Sequence, residues 1–339
     1  MSEWKEYKLG EIITIKYGKD HKHLKDGSFP VYGSGGIMRY VEKYLYDKES
    51  ILIPRKGSLS NIFYKDSAFW TVDTMFWTEI DSTKVFPKFL YYQMTLIDLE
   101  ILNVGSAVPS LTISVINDIP ISFPSLSEQK RIASILSSLD DKIDLLHREN
   151  KTLEAMAETL FRQWFIEEAK EDWKEGKLGD LIDVKYGKDH KKLLDGKIPV
   201  LGSGGIMRYA DTSLYDKESV LIPRKGSLNN VMYINEPFWT VDTMFYTEMR
   251  QLNVAKFVYH FMKNQDLANM NVGSAVPSMT VEVLNNIPID IPPQNIFDKF
   301  EGAVSLLYSK KEHNNKQIQT LTQTRNGLLP KLMSGEIKV

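Results

Sequence analysis

The chain says one thing twice. Residues 4–78 align with residues 173–247 without a gap, and 52 of those 75 positions are identical. After a one-residue deletion the correspondence resumes, residues 103–110 returning at 271–278. A period of about 168 residues is far too long for a solenoid unit and reads as a duplicated domain plus a connector.

The connector is a helix. After the first copy, Ile132, Leu136, Leu139, Ile143, Leu146, Asn150, Leu153, Ala157, Leu160 and Trp164 step alternately by four and three residues. That is the heptad seam of a coiled coil rather than the broader stripe of a surface helix. Ser125 stands three residues ahead of Glu128 as a capping-box start, and no Pro or Gly interrupts residues 125–174. Roughly 40 residues at 1.5 Å each make a rod on the order of 60 Å. The second copy is followed by a weaker seam with the same period: Phe297, Phe300, Val304, Leu307, Lys311, Asn314, Ile318, Leu321, Arg325, Leu328 and Leu332. Two equal rods, each behind a copy of one domain, pair most economically with each other, antiparallel and with pseudo-two-fold symmetry. Asn150 and Asn314 either fix the register or face a wet part of the seam.

Within each copy, short strands and Gly-rich turns dominate. Residues 12–16, 50–54 and 69–76 and their twins at 181–185, 219–223 and 238–245 read as strands. One short helix per copy is expected, near 86–99 and 254–268. The expected fold class is α+β: β-rich domains with small helices at 1–125 and 170–293, and long helices at 126–169 and 294–339.

With no cysteine, disulfides and thiolate metal sites are ruled out, and a reducing, cytoplasmic setting is the simplest reading. The first six residues are too polar for a signal peptide, and no apolar run approaches the roughly 18 residues needed to span a bilayer. The net charge of −2 requires any surface for nucleic acid to be a local concentration of cations.

Catalytic signatures are missing. There is no phosphate loop, and Gly33-Ser-Gly-Gly36 lacks the third glycine and the helix of a dinucleotide fingerprint. The pair His21-x-His23 recurs as His190-x-Lys192, which a duplicated metal site would not allow. Asp73 and Asp242, in otherwise apolar strands, read as general bases or as buried carboxylates bonded to the backbone or an arginine. Neither a catalytic residue nor a metal site is expected. The shared features are cations, hydroxyls and aromatics on loops: Tyr17, Lys19, His21, Lys22, Ser34, Arg39, Tyr40, Arg55, Lys56, Ser58 and Asn61. Their twins are Tyr186, Lys188, His190, Lys191, Ser203, Arg208, Tyr209, Arg224, Lys225, Ser227 and Asn230. Lysines and hydroxyls suit phosphates, while Arg and Asn suit guanine and adenine edges.

Domain, long helix, domain, long helix resembles the specificity (S) subunit of Type I restriction–modification systems. The resemblance is carried by Trp4, Leu9-Gly10, Gly105-Ser106, Pro109-Ser-Leu-Thr112, Ile119-Pro-Ile121, residues 128–136 (EQKRIASIL), residues 160–165 (LFRQWF) and residues 328–336 (LLPKLMSGE). One departure is Gln294-Asn-Ile-Phe297 where a Glu-Gln pair ordinarily opens the second helix. The resemblance implies a non-catalytic subunit with two target-recognition domains, each reading half of a bipartite site on double-stranded DNA. It implies that the helices are a spacer and a docking surface for two methyltransferase (M) subunits, which bring S-adenosylmethionine. Restriction (R) subunits, using ATP and Mg, complete such systems. Phe161, Trp164 and Phe165 then read as a docking patch or as core beneath the second domain. The antiparallel rods, with 52 of 75 aligned positions identical, add the expectation of a palindromic or nearly palindromic site. A tandem ligand-binding protein, or an enzyme with Asp73 and Asp242 at its centre, is the rival reading.

Overall fold

The computed structural model describes residues 4–270 and 278–339. The second occurrence of the 103–110 motif, apart from Ser278, lies outside the described residues, as do residues 1–3. The chain forms two compact units: Met1–Leu146 with Lys316–Val339, and His147–Asn315.

In the first unit the copy runs β1 (Lys5–Lys8), β2 (Ile13–Tyr17), β3 (Asp26–Gly33), β4 (Gly36–Val41), β5 (Ser50–Pro54), β6 (Phe63–Lys65), β7 (Trp70–Thr71), β8 (Met75–Ile80), α1 (Pro87–Met94), α2 (Ile113–Asn117) and β9 (Pro120–Phe123). These strands make three small sheets with orders β1-β9, β2-β8-β5-β6 and β4-β3-β7. All pairings are antiparallel except β3 with β7. The helix α3 (Leu126–Arg162) follows.

The second copy repeats the plan. It contains β10 (Lys174–Lys177), α4 (Leu178–Leu181), β11 (Ile182–Tyr186), β12 (Asp195–Gly202), β13 (Gly205–Ala210), β14 (Ser219–Pro223), β15 (Met232–Ile234), β16 (Trp239–Thr240), β17 (Met244–Met249), α5 (Ala255–Lys263), α6 (Val281–Asn285) and β18 (Pro288–Ile291), then α7 (Gln294–Met333). Its sheets have the same orders. The fold is the expected α+β arrangement of two β-rich domains with small helices and two long helices. No helix among the described residues is long and apolar enough to cross a membrane.

Three local expectations need correction. The run 69–76 is two strands rather than one, because Met75 N bonds back to Val72 O at 3.0 Å and turns the chain between β7 and β8. Asp73 sits on that turn and is exposed, as is its twin Asp242, so neither is a buried carboxylate in a strand. Each copy also carries a further short helix started by a threonine (α2 and α6), and the second copy has α4 besides. Thr112 and Thr280 accept bonds from the backbone of Val115 and Val283, satisfying one otherwise orphaned N–H. The first long helix ends its α geometry at Arg162 and closes with a π turn over Gln163–Glu167, short of residue 169.

The central strand β5 is buried at all five positions. Around it in the first unit pack Phe76, Phe89 and Leu90, the first turns of α3 (Ile132, Leu136) and the last turns of α7 (Leu332, Met333). In the second unit Phe245 and Phe257 pack with Ala157 and Phe161 of α3 and with Phe297, Phe300 and Val304 of α7. Within each unit the two helices therefore run antiparallel. The charges that weakened the second seam find partners there. Arg325 Nη1 meets Asp140 at 2.8 Å in the first unit, and Lys311 Nζ meets Glu154 at 2.7 Å in the second. Asn150 and Asn314 bond to each other at 2.9 Å and extend to Asn315 and Glu149.

Candidate nucleic-acid interface

The buried strand β5 delivers Arg55 and Lys56 to the surface, and the following loop is clamped on both sides. Arg55 N and Lys56 N both donate to Thr74 O, at 2.8 and 3.2 Å. On the other side Leu111 N donates to Arg55 O at 2.9 Å and Gly57 N to Pro109 O at 3.0 Å. Gly57 adopts φ +91°, a left-handed conformation that glycine takes without steric cost. Leu59, buried, anchors the far end. The twin loop is built alike: Arg224 N and Lys225 N donate to Thr243 O at 2.8 and 3.2 Å, and Met279 N to Arg224 O at 2.9 Å.

That backbone fixes the guanidinium. Arg55 Nη1 donates to Asp73 O at 3.0 Å, and its Cζ lies 5.2 Å from the centre of the Tyr17 ring. In the second copy the distances are 3.1 Å to Asp242 O and 5.3 Å to the Tyr186 ring. Tyr17 is itself held, since Trp77 Nε1 donates to Tyr17 O at 3.2 Å and Trp70 Nε1 to Lys19 O at 2.9 Å. Gly18 between them is obligatory: a Cβ there would lie 2.0 Å from Val72 O. The hairpin formed by β3 and β4 closes the arrangement, Asn61 Nδ2 donating to Ser34 O at 2.8 Å and Asn230 to Ser203 O at 2.7 Å.

The cations of this region are largely free. Asp20 faces His23 and Asp26 takes Arg39, so Lys19, Lys22, Arg55 and Lys56 pair with no carboxylate among the described residues. In the second copy an open cleft of about 730 Å³ is lined by His190, Lys191, Ser203, Met207, Asp242 and Thr243, among others. His21 Nδ1 and His190 Nδ1 are buried without a hydrogen-bond partner. A surface with free ammonium groups, hydroxyls and an oriented guanidinium suits phosphates and base edges together.

The structure thus brings together Tyr17, Ser34, Arg55, Lys56 and Asn61, and separately their twins Tyr186, Ser203, Arg224, Lys225 and Asn230. Lys19, His21 and Lys22 (Lys188, His190 and Lys191) follow the tyrosine on the same loop, and Ser58 and Ser227 are exposed on the arginine loop. Arg39 and Arg208 differ, for each braces its own hairpin. Arg39 Nη2 bonds to Asp26 at 2.5 Å and to Leu24 O at 3.2 Å, and Arg208 bonds to Asp195 and Leu193 O. Phe161 is buried against Phe257, Phe300 and His260, a core position beneath the second domain. Trp164 and Phe165, half-buried, pack on Phe300.

Residues 1–155 and 170–325 match the family described as Type I restriction modification DNA specificity domain. The chain belongs to that family. It is 26% identical to the Type I restriction enzyme MjaIX specificity subunit of Methanocaldococcus jannaschii, over 99% of this chain and 89% of that one. A putative type I specificity subunit of Mycoplasma genitalium is 23% identical over 97% of this chain and 93% of its own length. A crystal structure of a Type I restriction–modification S subunit from M. genitalium has the same fold, with a TM-score of 0.68 at 21% identity, covering 97% of this chain and 96% of that one.

Reading the sequence of this specificity-family chain passed over one exposed pair, Ile37-Met38, and its twin Ile206-Met207. The available signal was two consecutive apolar residues directly after a Gly-Gly turn.

Proposed function

We propose that this chain is the non-catalytic DNA-reading subunit of a Type I restriction–modification complex. Each copy of the domain engages one half of a bipartite site on double-stranded DNA. The observation that carries this reading is the duplicated, oriented arginine: Arg55 on Tyr17 and Arg224 on Tyr186, each beside lysines with no carboxylate partner among the described residues. Arginine presented rigidly is the side chain best suited to a guanine edge, and free lysines suit the phosphates on either side.

The long helices act as the spacer and receive two methyltransferase subunits, which carry S-adenosylmethionine and modify adenine. Restriction subunits, where present, bring ATP and Mg; this chain itself binds no cofactor. The whole assembly works in the cytoplasm. Because 52 of the 75 aligned positions are identical and the two long helices run antiparallel within each unit, the two halves are read in opposite directions. The site is therefore palindromic or nearly so, with half-sites about one helical turn (~10 bp) apart.

The test is co-expression with the cognate methyltransferase subunit in a host free of adenine methylation, followed by long-read mapping of modified adenines. One bipartite motif with matching inverted halves is the expected result. Two unrelated half-sites would remove the symmetric reading, and a stable complex that leaves no motif would remove DNA reading altogether.

A further inference from the structure

The β3–β4 hairpin carries an irregularity that both copies share. Across its strands Val31 faces Arg39, Tyr32 faces Ile37 and Gly33 faces Gly36, so Met38 is an extra, unpaired residue. In the twin hairpin Val200 faces Arg208 and Leu201 faces Ile206, leaving Met207 extra. A bulge of this kind releases one residue from the alternation of the strand and re-aims its side chain. The side chain it re-aims here is large, apolar and solvent-exposed: Met38 is 60% and Met207 57% exposed, beside Ile37 at 50% and Ile206 at 56%. Burial of these residues in a core does not account for the device.

The surroundings say what it faces. A Cβ on Gly33 would lie 2.7 Å from Met38 Sδ and 3.6 Å from Thr74 Oγ1, so the methionine lies across its glycine neighbour toward the turn that accepts the Arg55 and Lys56 amides. The hairpin tip is bonded to the arginine loop through Asn61 and Ser34. In the second copy Met207 lines the same cleft as His190, Lys191 and Ser203. An apolar group is thus presented among free cations on a two-stranded ribbon with a Ser-Gly-Gly tip. The major groove admits such a ribbon, and the apolar feature it displays is the C5-methyl of thymine.

Resting on the DNA-reading function above, we propose that the β3–β4 and β12–β13 hairpins enter the major groove and that Met38 and Met207 are specificity-determining residues that contact thymine methyl groups. The sulfur and terminal methyl of each chain cover the base methyl, while Lys22 and Lys191 take the neighbouring phosphates. No bond forms or breaks. The contact discriminates by burial of apolar surface alone.

The assay uses the complete complex with methyltransferase subunits and a duplex carrying the methylation-mapped site. Each thymine is replaced in turn by deoxyuridine, which lacks only the methyl. Wild-type affinity should fall roughly fourfold at one thymine in each half-site, the scale of one buried methyl, and stay level elsewhere. In Met38→Ala with Met207→Ala, affinity for the unmodified site should fall by a similar factor and the response to deoxyuridine should vanish. Met38→Gln with Met207→Gln, which keeps length but not apolarity, should behave as the alanine pair does, and wild-type affinity of both pairs for a scrambled duplex controls for loss of folding. Binding that ignores every thymine methyl, or a methyl response that survives both pairs of substitutions, would overturn the hairpin inference while leaving DNA reading in place. A wild-type complex without preference between the mapped and a scrambled duplex would overturn DNA reading itself, and this inference with it.

Discussion

Arg55 and Lys56 are neighbours with opposite physical states. The guanidinium is oriented by Asp73 O and Tyr17; the ammonium one residue on is exposed and engages no carboxylate among the described residues. A fixed fork discriminates among acceptors, whereas a free point charge attracts any phosphate. Arg55→Ala is therefore expected to relax one half-site by ~1–3 kcal/mol, measured on duplexes permuted at single positions. Lys56→Ala should instead weaken all duplexes alike and lower the salt slope by about one. Equal losses from both substitutions on every sequence would make Arg55 a phosphate clamp.

A second residue-scale contrast lies under the helices. Tyr92 in the first unit donates to Asp140 at 2.6 Å. Their counterparts at the repeat offset are His260 and Tyr308, which bond at 2.9 Å in the second unit. Burial, assisted by Lys263 and Lys311 and opposed by Glu154, lowers the His260 pKa from 6.5 to about 4. Since the folded value lies below the unfolded one, the stabilisation from a neutral His260 is complete above pH 6.5 and is lost as pH falls towards 4. The separation corresponds to about 3 kcal/mol. Glu154 acts lower on the scale: burial opposes its ionisation, but Lys263, Lys311 and Tyr259 hold its carboxyl at about 2, so its contribution fades from pH 4.5 downward. His260→Phe should flatten urea-unfolding stability between pH 6.5 and 4.5 and keep the loss below that. A slope unchanged by the substitution would place the acid sensitivity elsewhere.

At the scale of elements, the seam shows what the sequence discloses and what it does not. A four–three spacing sustained over ten positions has one physical solution, and α3 and α7 follow it. The turn at Asp73 was hidden because Val72 and Met75 on either side are as apolar as a strand requires. The bulge at Met38 was hidden because two apolar neighbours after a turn do not say which residue is unpaired; only the register with the partner strand reveals it. Phe161 was ambiguous because a coiled-coil seam and a domain core ask for the same side chains.

The polar layer carries its own prediction. Asn150 and Asn314 complete each other, yet at the repeat offset their counterparts are Ile318 and Leu146. Pairing of α3 with α3 from a second chain in the same register would set Asn150 against Leu146 and leave a buried amide without a partner, at about 1–3 kcal/mol. Asn314→Leu alone should destabilise the second unit by a similar amount. Asn150→Leu with Asn314→Leu should restore stability and raise the fraction of dimer seen in sedimentation velocity. A double variant that stays as monomeric as the parent would show that the layer does not choose between partners.

At the scale of the whole molecule the repeat is its own control, because every loop residue placed at the candidate interface recurs in its twin. Tyr32 and Leu201 differ, but both are buried beneath their hairpins and touch nothing outside. His23 against Lys192 and Lys25 against Leu194 are exposed differences that alter charge, which changes affinity more than base choice. Ser60 against Asn229 is another kind of change. Both are exposed on the arginine loop, next to Asn61 and Asn230. An asparagine offers a bidentate donor–acceptor pair matched to adenine, whereas serine accepts either partner of several bases. Any asymmetry between half-sites is therefore expected to trace to Asn229. Methylation mapping of Asn229→Ser should yield two identical inverted halves, and Ser60→Asn should carry the second copy's preference into the first. A difference between half-sites that persists through both exchanges would move the source to the charged loop at 23–25.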